Sequence, residues 1–229
     1  MAYRELSGTV EYIRRFSFYR IIEHLALIAL FVALAVTGLS QKFHTLGVSQ
    51  SIISALGGID SARFLHHAAG ALFTALALQH ILVNFTGIVF QQKEPSMLIT
   101  VKDAQDALHN VRYYLGLADR PATHGRYSYK EKFIYWLILL GGIQQIITGF
   151  ILWFPVAATK YLPGQFIPAA KAVHTNEAML IFLLVAIWHI YDSMFSPEVF
   201  PLNKSIFTGY VEKKKMEQET IQGKSGVDA

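Results

Sequence analysis

Besides His67, five histidines lie within or at the ends of apolar stretches: His24, His66, His80, His174 and His189. An ionisable side chain in a membrane is costly, so its presence points to function by default. The spacing gives that function a form. His66 and His80 are 14 residues apart, and His174 and His189 are 15 apart. On a helix each separation returns to nearly the same face, off by about 40° and about 60° in opposite senses, with a rise of about 21–22 Å. Two helices thus each carry one imidazole near each end of a bilayer core about 30 Å thick. If the helices run the same way, His66 shares a depth with His174, and His80 with His189.

Two imidazoles facing each other at one depth are what a six-coordinate b-type haem needs, with one ring nitrogen on iron and the other held by a neighbour. Two such levels predict two haems and a stepwise electron path. His67 competes with His66 at the first level, but it falls about 140° off the face of His80. Gly70, one turn after His66, removes a side chain where a flat macrocycle approaches; helix packing uses glycine too. Arg20, Arg63 and Lys171 lie three or four residues before His24, His66 and His174, and suit haem propionates or interfacial snorkelling. Glu177 and Asp192 follow His174 and His189 by three and could relay protons. The plain alternative for all five histidines is hydrogen bonding within the bundle. A zinc site needs clustered ligands, and these are spread over about 20 Å. His44, His109 and His124 lie in the connections, and nothing in their spacing demands a role.

The elements that must hold these residues are apolar helices. The chain of 229 residues is 53% hydrophobic, too apolar for an ordinary soluble domain of this length. It has no cysteine, which excludes disulfides, thiolate-held iron–sulfur clusters and a thioether-attached haem. Four stretches are long enough to span a membrane: residues 20–40, 64–90, 133–154 and 172–195. Trp136 and Trp153 mark the two ends of the third, as interfacial aromatic belts do. The expected fold class is all-α, an integral membrane four-helix bundle with a short cytoplasmic amphipathic helix. Residues 1–212 form the bundle and 213–229 a polar cytoplasmic tail.

The net charge of +4 invites a nucleic-acid reading, but the distribution of charge argues for a membrane instead. Four basic residues precede span 1, seven lie between spans 2 and 3, and five follow span 4; only Lys42, Arg63, Lys160 and Lys171 lie on the other side. The positive-inside rule then places both termini and the long middle connection in the cytoplasm. The pair Arg14–Arg15 faintly resembles a twin-arginine signal; Glu23 and His24 in the following apolar stretch favour a basic anchor. In the middle connection Thr100 and Asp103 have capping-box spacing. Val101, Ala104, Leu108, Val111 and Leu115 recur at helical spacing and Gly116 can stop the helix, so a short helix on the membrane surface is expected. A weak internal echo, "AVTGL" against "IITGF", reads as a shared small-residue packing site.

The stretches "YRIIEHLALIALFVALAVTGL", "RFLHHAAG", "YSYKEKFIYW", "TGFILWFP", "KAVHTNEAML" and "SPEVFPLNKSIFTGYV" carry a family likeness over roughly residues 15–212. The chain resembles the di-haem cytochrome b subunits of bacterial formate dehydrogenases and nickel–iron hydrogenases, and more closely their relatives that accompany multihaem c-type cytochromes. The resemblance implies four transmembrane helices, two b haems and exchange of electrons with menaquinone or a related quinone. It implies a periplasmic partner, either a multihaem c-type cytochrome or a catalytic oxidoreductase subunit, in the bacterial inner membrane. Carried over by motif, His66 and His174 hold the outer haem and His24 and His189 the inner one. Spacing alone pairs His80 with His189. The formate dehydrogenase pattern has no counterpart of His80, which then suits a quinone hydrogen bond, a propionate contact or a further haem. A standalone quinol oxidoreductase and a haem-free anchor are the competing functions.

Overall fold

In the computed structural model, residues 11–91, 95–123, 127–196 and 200–212 are described. The expected tail at 213–229 and His124 lie outside them. In chain order the elements are β1 (Tyr12–Arg14), α1 (Phe18–Lys42), α2 (Gly47–Ala55), α3 (Ile59–Gln91), α4 (Val101–Tyr114), α5 (Tyr129–Trp153), α6 (Pro155–Ala158) and α7 (Phe166–Leu183). Two π-helical runs, Leu184–His189 and Tyr191–Phe195, continue α7; α8 (Ser205–Thr208) and β2 (Tyr210–Glu212) follow.

Four helices are long and apolar enough to cross a membrane: Phe18–Lys42, Ile59–Gln91, Tyr129–Trp153 and Phe166–Phe195. Lipid offers no hydrogen-bond partner, so a spanning segment must satisfy its backbone internally, and the helix does this. The chain is an all-α integral membrane bundle. Its polarity is reversed relative to a soluble protein. Ile22, Leu25, Ile28, Val32 and Val36 of α1 are exposed in a helical stripe. Thr37, Ser40 and Thr148 are buried, whereas the buried apolar residues among those described are Ile21, Ala62, Ala69, Ala170 and Ile181. Small residues let helix backbones approach where lipid removes the hydrophobic drive for association. Lys42, at the end of α1, donates to the Asn176 side chain (2.9 Å) and the Thr175 carbonyl (3.3 Å), tying α1 to α7.

The chain divides into two compact units. Residues 23–95 and 134–202 contain most of the four spans. Within this unit, α2 is an element that hydropathy does not announce. It ends in a Schellman turn, with Gly57 in the left-handed region (φ +91°) and the Gly58 N–H donating to the Ile53 carbonyl at 2.9 Å.

Among the described residues, the other unit holds 11–22, 96–123, 127–133 and 203–212. Here β1 pairs antiparallel with β2, Ile13 opposite Val211. This short pairing is also absent from the sequence reading. The capping box at α4 is present: the Asp103 carboxylate accepts from the Thr100 N–H (2.7 Å) and hydroxyl (2.8 Å). Lys132 donates to the same carboxylate at 2.9 Å. Burial pushes this carboxyl up, but the bonds from Lys132 and Thr100 outweigh it and hold the group below the ordinary carboxylate range. At its other end α4 closes through Gly116 (φ +72°), with the Leu117 N–H on the Arg112 carbonyl at 2.8 Å.

The orientation of α4 reverses the usual rule. Asp103 and Asn110 are buried; Val101, Leu108, Val111 and Leu115 are exposed. Asn110 accepts from the Ala122 N–H (2.6 Å) and donates to Tyr129 (3.3 Å). The polar side faces protein and the apolar side faces out, as an interfacial helix requires.

Candidate functional site

His66 of α3 and His174 of α7 face each other, their ring centroids 6.3 Å apart and their planes at 82°. Each ring is held by a threonine from a third or fourth helix. The Thr37 hydroxyl lies 2.9 Å from His66 Nδ1 and donates its proton to the Ala33 carbonyl at 2.7 Å. The Thr148 hydroxyl lies 2.9 Å from His174 Nδ1 and donates to the Gln144 carbonyl at 2.7 Å. A hydroxyl has one proton. With that proton committed to the carbonyl, the oxygen accepts from Nδ1–H, and Nε2 of each histidine keeps its lone pair. The tautomer follows from the network.

The next residue completes each cradle. A Cβ on Gly38 would lie 3.1 Å from His66 Cε1, and one on Gly149 would lie 3.3 Å from His174 Cε1. The repeated Thr-Gly is therefore a packing site of a particular kind, in which glycine admits the imidazole edge and threonine fixes its proton. Neither threonine was singled out from sequence; the echo was the signal that marks them. Thr37→Ala leaves the His66 Nδ1–H without its acceptor. Groups that orient a ligating histidine are worth about 10–100-fold in affinity for what it binds. For any ligand held by His66 Nε2, Thr37→Ala is expected to weaken retention by that factor, read as the rate of ligand loss on dilution, and Thr37→Ser to restore it.

A second pair forms on α1 and the first π-helical run. The His24 and His189 rings are 6.4 Å apart with planes at 68°. His24 Nδ1 is buried and has no hydrogen-bond partner. The wide turn Leu184–His189 takes more residues than an α turn. It absorbs the extra residue that separates His174 from His189, compared with His66 from His80.

The ring facing His189 is thus that of His24 rather than His80. His80 Nδ1 lies 3.0 Å from Glu23 Oε1, and Nε2 lies 3.1 Å from the Tyr135 hydroxyl. Angular spacing along one helix could not reveal this, because it does not say which helix stands opposite. Glu23 and Tyr135 were not singled out as partners. His67 stacks on Trp153, centroids 4.5 Å apart and planes at 18°, away from the His66–His174 pair. Arg63 reaches Asp60 at 3.5 Å on the exposed surface, the Arg20 guanidinium lies 5.6 Å from the Tyr19 ring centre, and Lys171 is exposed. His109 contacts the Arg120 carbonyl at 2.9 Å. Glu177 Oε2 and Gln145 Nε2 are buried without partners. Among the described residues no three His, Asp or Glu side chains gather as a metal cage would need.

The family described as prokaryotic cytochrome b561 matches residues 101–209. The cytochrome b556(Fdn) subunit of the nitrate-inducible formate dehydrogenase of Escherichia coli (strain K12) is 26% identical over 172 residues, 72% of this chain and 73% of that protein. The same subunit in Escherichia coli O157:H7 and in Shigella flexneri matches equally.

Proposed function

From its similarity to b-type cytochrome membrane subunits, we propose that the chain carries electrons between a membrane quinone pool and a partner redox subunit of a respiratory complex, through two haems. His66 and His174 hold one, and His24 and His189 the other. The observation that carries this reading is the ring spacing, 6.3 Å and 6.4 Å in the two pairs. That spacing would leave room for one metal ion between the two rings, since a metal–imidazole bond is about 2 Å long.

Other residues fit the same group. Thr37 and Thr148 leave both Nε2 atoms of the first pair unprotonated, the form that binds iron. The second pair offers a buried, unpartnered nitrogen on His24. A Cβ on Gly70 would meet nothing within 4 Å, so room for a flat ring lies one turn from His66. Bound between two imidazoles, haem b supplies one-electron chemistry and has no open position for oxygen or substrate. The chain's own residues orient, bury and separate the two sites, by about 20 Å along the helices.

The basic residues support cytoplasmic termini, which puts the His24–His189 pair at the cytoplasmic level and the His66–His174 pair at the periplasmic level. The partner is then a periplasmic catalytic subunit, as a formate dehydrogenase relative suggests, or a multihaem c-type cytochrome. Purified protein is expected to carry two haems per chain, with a b-type reduced-minus-oxidised spectrum, and to be reduced by a naphthoquinol. Protein without haem overturns the reading and leaves an anchor. Haem reduced by dithionite but by no quinol overturns the quinone part.

A further inference from the structure

The two helical hairpins of this chain, α1 with α3 and α5 with α7, correspond residue by residue at the sites. His24 stands 13 residues before Thr37, and Tyr135 stands 13 before Thr148. Thr37 bonds His66, and Thr148 bonds His174. His80 follows His66 by 14, and His189 follows His174 by 15, the added residue taken up by the wide turn Leu184–His189. Exchanging the hairpins maps the His66–His174 pair onto itself. It maps the His24–His189 pair onto Tyr135–His80. Those two residues are in fact in contact, His80 Nε2 to the Tyr135 hydroxyl at 3.1 Å, with ring centroids 5.7 Å apart.

The His80–Tyr135 pair is therefore the counterpart of the second imidazole pair, with a phenol where the other has an imidazole. A phenol brings an O–H donor that an iron-binding imidazole lacks. Glu23 fixes the remaining proton: a carboxylate only accepts, so His80 donates from Nδ1 at 3.0 Å and presents a bare Nε2. The pair thus shows one acceptor and one O–H side by side. The His80 side chain is 23% exposed, so part of the ring is within reach of a ligand.

We propose that His80 and Tyr135, oriented by Glu23, bind the head group of a hydroquinone arriving from the lipid. The assignment rests on the electron-carrier reading above. The hydroquinone hydroxyl donates to His80 Nε2 and accepts from the Tyr135 O–H, replacing the direct bond between them. A quinone carbonyl has no proton to give Nε2 and leaves that nitrogen without a donor, so the site selects the reduced form. Oxidation of the hydroquinone to the quinone would release two electrons, which two haems in the ferric state would accept, and two protons, which would pass to water at the membrane surface.

The test is naphthoquinol-driven haem reduction in the intact complex, with haem content as the control for folding. Tyr135→Phe and His80→Gln are expected to keep two haems per chain and normal reduction by dithionite. The quinol concentration for half-maximal reduction rises about tenfold in each, the loss of one hydrogen bond. The oxidised naphthoquinone competes with the quinol more weakly than the quinol binds. Unchanged quinol dependence in both variants overturns the site while the electron-carrier reading stands. Loss of a haem in His80→Gln overturns it also, and makes His80 a ligand. A haem-bearing wild type that no quinol reduces ends both readings together.

Discussion

His66→Ala is expected to purify with half the b-type absorbance of the wild type, and His174→Ala to do the same. One imidazole cannot hold a six-coordinate iron, and the ring left behind keeps its threonine but has lost the partner 6.3 Å away. The second site shares no residue with the first: its rings sit on α1 and the wide turn, about 20 Å along the helices. Under the proposed assignment the remaining haem is still expected to be reduced by quinol, while transfer to an acceptor on the far side of the membrane is expected to stop. The measurement is haem per protein with quinol-to-acceptor turnover. Full haem content in both variants would remove these histidines from the assignment.

His24→Ala and His80→Ala separate the two histidines that share a depth. His24→Ala is expected to lose the second haem, because the ring facing His189 at 6.4 Å is gone. His80→Ala is expected to keep both haems, because its nitrogens serve Glu23 and Tyr135. The contrast is qualitative, one haem against two, and haem quantification reads it directly. If His80→Ala is the variant that loses a haem, the second pair is assigned to the wrong ring.

The spans were legible because hydropathy and length decide them almost alone: a helix is what lipid permits. The facing of His66 and His174 was legible for a related reason, since depth in a bilayer is counted in residues. The capping box at Thr100 and the stop at Gly116 were legible as local chemistry. What stayed hidden depended on neighbours across helices. Periodicity on α3 gives the angle of His80 but says nothing of Tyr135 on α5, and π turns such as Leu184–His189 carry no composition signal of their own. The short strands β1 and β2 meet from opposite ends of the sequence, a pairing that no local pattern announces. The Thr-Gly echo was visible, yet its use became plain only when the imidazole edges stood against Gly38 and Gly149.

The helix α4 also has a bearing on how the protein meets others. Its inner side is tied down by Asp103 and Asn110, and its outer side offers Val101, Leu108, Val111 and Leu115 to the surroundings. With its polar side held by protein, the helix leaves that stripe to be covered by something equally apolar, so the segment between the second and third spans is more than a tether.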